Sequence, residues 1–451
     1  MVDQKLPIVA LIGRPNVGKS TLFNRITRSR KAIVDPTPGV TRDRQYERVV
    51  WEDKGFLLVD TGGIDDNPED VLVHHIREQA MAAIEEADII LFLMDGREGV
   101  TPADHEVVDL LRRTKKPVFH IINKIDGPKN EVSMNPFYEL GVERFWPLSA
   151  EHTYGFRTLM DDLCETIDTP SEATTLPEGT VKVAFFGRPN VGKSSMVNLI
   201  LGEERMVVSD VSGTTRDSVD TVVSHGNYNY LFIDTAGIRR KGKTKEKLEK
   251  FSILKALSAM SRCDVAVVIL DAEEGITEQD TKVIGYVLDE GKALIVLVNK
   301  WDLLEKDKKR QKEVMEEVGR VLPYLGFVPI LNVSALTGYG IKRMFPIIGS
   351  VYRQYCARFP TSVLNRLLQD AVEQHTPPIY KNKRLKFYYT SQVGTCPPKF
   401  VIMSNSYKGV HFSYERYLVN RFREGLGLDM IPIKIFFKDK SEQRERKDKK
   451  Q

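Results

Sequence analysis

Short, unbroken apolar runs recur along the chain, and each closes on a motif rich in glycine, aspartate or asparagine. Pro7 to Ile12 leads into a glycine loop, and the pattern then predicts a helix from about Gly18 to Arg28. Phe56 to Asp60, Ile89 to Asp95 and Val118 to Asn123 read as further buried strands. Val181 to Phe186, Tyr230 to Asp234, Val265 to Asp271 and Leu294 to Asn299 repeat the series. Continuous apolar strands alternating with helices predict a mostly parallel sheet with helices on both faces. The motifs fall at the carboxyl ends of the strands, where open α/β sheets bind ligands. After Val351 the pattern changes. A helix near Thr361 to Glu373, a basic loop Tyr380 to Lys386, strands Leu385 to Ser391 and Phe400 to Ser404, a helix Ser413 to Glu424 and a strand Ile433 to Phe437 predict a small α+β domain.

The motifs themselves are duplicated. The octapeptide from Gly13 to Ser20 recurs from Gly187 to Ser194; Gly39 to Asp43 recurs as Gly213 to Asp217, and Asp60 to Gly63 as Asp234 to Gly237, all at one constant offset. Asn123 to Asp126 recurs as Asn299 to Asp302 at a slightly larger one, as loop insertions would produce. A period this long marks a duplicated domain. The expected division is therefore a first α/β copy at 1–168, an acidic flexible linker at 169–179, a second copy at 180–352, the α+β domain at 353–438 and a charged tail at 439–451.

Composition narrows the class. Apolar residues make up 41% and charged residues 28% of the 451, as in an ordinary globular protein. There is no apolar run long enough to cross a bilayer and no signal-peptide pattern, so neither a membrane span nor export is expected. The four cysteines, Cys164, Cys263, Cys356 and Cys396, form no CxxC pair. That spacing argues against zinc or a disulfide framework, fits a reducing cytoplasm, and leaves each as a small buried hydrophobe. The net charge of +4 hides an asymmetry: residues 353–451 carry a balance of +11, and the remainder −7. A basic C-terminus attracts polyanions, chiefly nucleic acid, or merely solubilises the surface.

GxxxxGK[ST] is a phosphate cradle, with inward backbone N–H groups and the positive end of the following helix. It comprises Gly13, Arg14, Pro15, Asn16, Val17, Gly18, Lys19 and Ser20, and again Gly187, Arg188, Pro189, Asn190, Val191, Gly192, Lys193 and Ser194. Lys19 and Lys193 are expected at the β- and γ-phosphates, and the hydroxyls of Ser20 and Ser194 on Mg²⁺. Both copies therefore read as P-loop NTPase G domains. Base choice comes from Asn123, Lys124, Ile125 and Asp126, and from Asn299, Lys300, Trp301 and Asp302. The carboxylates of Asp126 and Asp302 can each accept two hydrogen bonds from N1–H and the exocyclic amine of guanine. Adenine lacks that donor pair and would leave the carboxylate unsatisfied, at a cost of about 1–3 kcal/mol or more. The asparagines are expected to brace the base and its loop, and Lys124 and Lys300 to pack on its face.

Asp60 and Asp234 end apolar runs and suit Mg²⁺ held through water. Asp60, Thr61, Gly62, Gly63 and Ile64 correspond to Asp234, Thr235, Ala236, Gly237 and Ile238. Gly63 and Gly237 would offer an amide to the γ-phosphate. Thr41 and Thr215, in loops rich in Gly and Pro, are candidates to complete the Mg²⁺ shell when that phosphate is present. Ser149 with Ala150, and Ser334 with Ala335, are placed to contact the base through backbone N–H. The candidate catalytic set is thus Lys19, Thr41 and Gly63, with Lys193, Thr215 and Gly237.

On these motifs the chain resembles the translation-factor-related GTPases. The doubled G domain with a basic C-terminal domain resembles their tandem-G-domain family of bacterial ribosome-assembly factors. The resemblance covers essentially the whole chain and implies GTP and GDP as ligands, a KH-like third domain, and action on the 50S subunit through rRNA and ribosomal proteins, as a monomer and without DNA. In Ras-like enzymes a glutamine after the DxxG glycine orients the attacking water. Ile64 and Ile238 stand there and cannot hydrogen-bond. The resemblance implies a hydrophobic-substituted GTPase that uses K⁺, with Asn16 and Asn190 as its ligands; alternatively these asparagines only shape the loop turn. Residues 353–451 contain no GxxG, the loop by which an ordinary KH module clamps RNA, and Gly425 to Gly427 is too short. Arg384, Lys386, Tyr388 and Tyr389 are candidates for rRNA or protein contact, or simply an exposed basic strand face. Two other readings remain: a G protein associated with RNA modification, and a GTP-gated scaffold in which one copy only binds.

Overall fold

The computed structural model describes residues 6–28, 46–52, 54–61, 80–81, 83–85, 87–167, 177, 179–202, 207–210, 220–226, 228–235, 253–321, 326–381 and 383–439. Two compact units form, one holding the first α/β copy with residues 248–258 and the other the rest of the second copy together with the C-terminal domain.

The first copy runs β1 (Ile8–Gly13), α1 (Lys19–Arg28), β2 (Tyr46–Trp51), β3 (Lys54–Asp60), β4 (Ile89–Asp95), α2 (Pro102–Leu111), β5 (Val118–Asn123), β6 (Phe145–Pro147) and α3 (Phe156–Thr166). The sheet order is β2-β3-β1-β4-β5-β6; β2 is antiparallel to β3 and the remaining pairs are parallel. Every residue of β1 and β4 is buried because helices cover both faces. The pleat sorts them: Val9 and Leu11 pack with Leu22, Phe23 and Ile26 of α1 and Leu159 and Leu163 of α3, while Ile8, Ala10 and Ile12 join Val107, Val108 and Leu111 of α2.

The second unit continues with β7 (Val181–Phe186), α4 (Lys193–Gly202), β8 (Val207–Asp210), β9 (Thr221–His225), β10 (Tyr228–Phe232), β11 (Val265–Asp271), α5 (Glu278–Asp289), β12 (Ala293–Asn299), α6 (Lys308–Val321), β13 (Ile330–Asn332) and α7 (Ile341–Tyr355). Its sheet is ordered β13-β12-β11-β7-β10-β9-β8, parallel from β13 to β10 and antiparallel beyond. The apolar run expected to extend to Asp234 stops as a strand at Phe232. Asp234 has a left-handed φ of 59°, and Asp220 Oδ1 accepts from its amide at 3.0 Å. Helix formation at α2 and α5 is set by repeated capping boxes, Thr101 with Asp104 and Thr277 with Asp280.

The C-terminal domain comprises α8 (Thr361–Gln374), β14 (Ile379–Tyr380), β15 (Lys383–Arg384), β16 (Phe387–Gly394), β17 (Lys399–Ser404), α9 (Phe412–Leu426) and β18 (Lys434–Asp439). β16 and β17 are antiparallel, and β17 and β18 parallel. The stretch expected as a basic loop, Tyr380 to Lys386, instead contains the short β14–β15 pairing. Asp439, expected as the start of the tail, closes β18 and accepts from the Tyr407 amide; 440–451 lie outside the described residues. The expected boundary between residues 352 and 353 falls inside α7, since the shift in charge begins before the helix ends. Along α7 the apolar core runs without a break, from Met344, Phe345 and Ile348 against the second sheet, through Val351 and Tyr355, to Leu364, Leu368, Phe400 and Phe422. The Tyr355 hydroxyl donates to Gly291 O at 3.0 Å, and Lys434 Nζ to Asp289 O at 3.1 Å.

Candidate active sites

Two glycines make each phosphate loop possible. Gly13 has φ +147° and Gly187 φ +146°, and a Cβ at either would stand within 2.5 Å of the carbonyl oxygen of Leu93 or Ile269 respectively. Gly18 and Gly192, at φ +99° and +98°, let the loop pass so close to Asn123 and Asn299 that a Cβ would sit 2.2 Å from either amide nitrogen. Asn16 and Asn190 are exposed at left-handed φ of 63° and 61°. Asparagine tolerates that conformation, so loop shape alone is a sufficient reason for it here.

The lysines arch back over their own loops. Lys19 Nζ donates to Gly13 O at 2.6 Å and Arg14 O at 2.9 Å, and Lys193 Nζ to Gly187 O at 2.6 Å. Burial lowers the pKa of the Lys19 ammonium, with Asp60 pulling the other way. An ammonium held by loop carbonyls at the mouth of a phosphate cradle is poised for an anion. The Ser20 hydroxyl donates to Asp60 Oδ2 at 3.1 Å, joining the two expected Mg²⁺ groups of the first copy. This donor set, one hydroxyl and one carboxylate beside a phosphate cradle, suits a hard divalent cation. Thr61 is buried and its hydroxyl donates to Leu11 O at 2.7 Å, whereas Thr235 pairs with Thr221 at 2.8 Å.

Asn123 ties three motifs together. Its Nδ2 donates to Val17 O at 2.8 Å, and its Oδ1 accepts from the Ala150 amide at 3.0 Å. Asn299 repeats this with Val191 O at 2.7 Å and the Ala335 amide at 2.9 Å. The phosphate loop, the base-reading loop and the Ser-Ala loop are thus cross-linked by one buried side chain in each copy. Ile125 packs in the core behind the loop, and Trp301 is its half-buried counterpart.

Several partners were not anticipated. Lys124 and Lys300, expected on the base, are ion-paired to Asp95 and Asp271 at the ends of β4 and β11. Burial pushes the Asp95 carboxyl up, but Lys124 and the amides of Arg97 and Glu98 outweigh it and hold it low; Asp271 holds the Lys300 ammonium above its ordinary value. Arg14 reaches the fully buried Asp104 at 3.3 Å, and Arg188 reaches Asp280 at 2.9 Å, pinning each phosphate loop to the capping box of α2 or α5. The signals were present: strands ending in Asp, and Thr-x-x-Asp, both repeated from the first copy to the second in step with the asparagine-led motif.

The base readers differ. Asp126 Oδ1 accepts from the Ser149 hydroxyl at 2.8 Å and Oδ2 from Arg97 at 2.7 Å; these bonds, Ser149 foremost, hold its carboxyl below the usual range. Asp302 Oδ1 is buried without a hydrogen-bond partner among the described residues. An orphaned carboxylate oxygen beside this loop fits a ligand edge that brings N–H donors. Thr41, Gly62, Gly63, Ile64, Thr215, Ala236, Gly237 and Ile238 lie outside the described residues.

In the C-terminal domain Arg384, Lys386, Tyr388 and Tyr389 are exposed. A register shift between Phe387 and Tyr389 breaks the pleat, so consecutive tyrosines share an exposed position before the buried Thr390. Of the cysteines, Cys263 is buried as expected and Cys396 is not. The Cys263 thiol is pushed up to about 12, and the exposed Cys396 faces Cys356 across the domain seam. Proximity in the fold, not spacing in the chain, decides this pairing.

Twin phosphate cradles, each wired to a base-reading loop at the carboxyl edge of a mostly parallel sheet, define a P-loop protein with tandem G domains. A family model described as "50S ribosome-binding GTPase" matches residues 8–124 and again 182–300, and "KH-domain-like of EngA bacterial GTPase enzymes, C-terminal" matches 358–438. The chain is 51% identical over 432 residues to GTPase Der of Geotalea uraniireducens (strain Rf4), covering 96% of this chain and 98% of that one. It is 47% identical to GTPase Der of Syntrophotalea carbinolica, covering 97% and 99%. Among solved structures it is similar to Era in complex with MgGDPNP and a stretch of 16S ribosomal RNA, at 22% identity and a TM-score of 0.30, covering 58% of this chain and 93% of that one. The chain belongs to the Der (EngA) family of tandem-G-domain GTPases.

Proposed function

We propose that both copies bind and hydrolyse GTP to GDP and phosphate, and that their nucleotide state governs a role in late assembly or stability of the 50S subunit. The observation that supports two working copies is the repeated cradle: the same lysine arch and the same asparagine cross-link occur in each. Asp126 and Asp302 select guanine. Ser20, Thr41 and Asp60, and Ser194, Thr215 and Asp234, hold Mg²⁺, with Gly63 and Gly237 at the γ-phosphate. Mg²⁺ when bound neutralises charge that develops on the phosphates. The lysines turn from loop carbonyls toward the phosphates, and the arginine–aspartate pins keep the loop amides in place.

Asn16 and Asn190 would hold K⁺, which would supply the positive charge at the phosphates that an arginine finger brings elsewhere. Phosphate release in KCl should exceed that in NaCl at equal ionic strength; equal rates would remove this part of the proposal. The ribosomal role is favoured by the family and by the +11 balance of residues 353–451, with Arg384, Lys386, Tyr388 and Tyr389 on the contacting face. It places the protein in the cytoplasm as a monomer. Co-sedimentation with ribosomal subunits in GDP and in a non-hydrolysable GTP analogue tests it. Binding to the large subunit that depends on the nucleotide is expected, and negligible binding in both states would sink it.

A further inference from the structure

Cys356 caps the C-terminus of α7, and Cys396 lies in the turn between β16 and β17. They are 40 residues apart in sequence, yet their Sγ atoms are 2.9 Å apart. The Cys396 amide donates to Tyr355 O at 3.0 Å, so the two backbones are tied at the same place. Cys396 is exposed and Cys356 half-buried, which leaves one sulfur open to a reagent in solution and the other behind it.

We propose that Cys356 and Cys396 are a dithiol–disulfide site, closed by a low-molecular-weight disulfide, that staples the C-terminal domain to the last helix of the second G domain. The thiols are differentiated for it. Cys396 is held below its ordinary value, chiefly by the hydrogen bond from Cys356 and with help from Thr395 and Lys292, against burial and Asp264. Cys356 is pushed up by donating that bond, by burial and by the charges of Cys396 and Asp264, while the Tyr352 hydroxyl pulls the other way. The Cys396 thiolate attacks one sulfur of RSSR, forming a Cys396–SR mixed disulfide and releasing RS⁻. With Cys396 capped, the bond that held the Cys356 proton is gone. Cys356 gives that proton to solvent, attacks Cys396 Sγ, and expels the second RS⁻. Two protein thiols are oxidised and RSSR is reduced to two RSH. Cys263 is buried with its thiol pushed up, so it does not compete.

The test uses the reduced full-length protein, treated with oxidised glutathione, alkylated under denaturing conditions, digested and weighed. A peptide pair joined through Cys356 and Cys396 is expected, lighter by two hydrogens, with Cys164 and Cys263 alkylated. Cys356→Ser should trap glutathione on Cys396, and Cys396→Ser should leave Cys356 reduced. Hydrogen exchange in the β16–β17 turn should slow on oxidation and recover on reduction. Glutathione persisting on Cys396 of the unsubstituted protein, four alkylated cysteines after treatment, or exchange in the turn unchanged by oxidation would each overturn the proposal. If the serine variants do not fold, the unsubstituted protein still decides it.

Discussion

The two G domains share one cradle and differ at the residue that guards the base reader. Arg97 pairs with Asp126 in the first copy, and the matching position of the second copy is Glu273, a group of opposite charge. Asp126 has one oxygen engaged by Arg97 and the other by the Ser149 hydroxyl, whereas Asp302 keeps a buried oxygen with no partner among the described residues. Arg97 and its partner are solvent-accessible, so their pair is weak and screened by salt. The unsatisfied oxygen of Asp302 costs about 1–3 kcal/mol until a donor reaches it. The second effect is larger. On the proposed reading, a guanine edge would relieve a penalty in the second copy but would have to displace an existing partner in the first. On that reading the two copies would differ in affinity with their motifs intact.

The broadest way to break this comparison is to silence each copy in turn. Lys19→Ala and Lys193→Ala should each lower phosphate release from their own copy by about 10²–10³-fold, since a positioned donor to developing charge is lost. Single-turnover assays on each variant check this. If only one substitution has an effect, the other copy is a binding module, as in the scaffold reading.

Acid should separate the copies next. His120 in β5 is pushed down to about 4, first by burial and then by Arg112; its counterpart in β12 is the buried Val296. A histidine with a lowered folded value leaves stability intact above about 6.5. As pH falls from there toward 4, the unfolded chain takes up a proton that the folded one refuses. The loss is about 2 kcal/mol at pH 5. His120→Val should remove that loss from the first G domain, as read from urea midpoints at pH 5 and pH 7.5; equal acid sensitivity with and without the histidine would count against its burial.

Exchange of the guard residue is a finer probe. Glu273→Arg, in the Lys19→Ala background, should weaken GDP binding to the second copy by about tenfold, because the new guanidinium competes with the ligand for the Asp302 carboxylate. The reciprocal Arg97→Ala, in the Lys193→Ala background, should tighten GDP binding a few-fold at low salt, with the difference fading as salt is raised. Fluorescent GDP titration measures both. Opposite signs would dissolve the account of the difference.

How far these features could be read from sequence depends on where each interaction closes. Ile89–Asp95, Val118–Asn123, Val181–Phe186 and Val265–Asp271 form strands with the bounds their apolar runs predict, because burial on both faces leaves little polar interruption. The antiparallel strands Tyr46–Trp51 and Thr221–His225 went unseen: the first buries Tyr46 on one face and Val49 and Trp51 on the other, the second buries one face only, and charged or half-exposed residues interrupt both patterns. Within the sites, the phosphate loops and the asparagine-led loops are local words. The partners that fix them are not. Arg14 meets Asp104 across 90 residues and Asn123 meets Val17 across 106, distances over which no local pattern reports.

The unbroken apolar core along α7 also has a consequence for how the second unit comes apart. Leu364, Leu368 and Phe400 share one interior with Met344 and Phe345, so stripping away the C-terminal domain would leave the end of a long helix wet and greasy. Chains cut just after Val351 should aggregate rather than behave as an isolated enzyme module. In calorimetry, the second G domain and the KH-like domain should lose their heat together, in one endotherm.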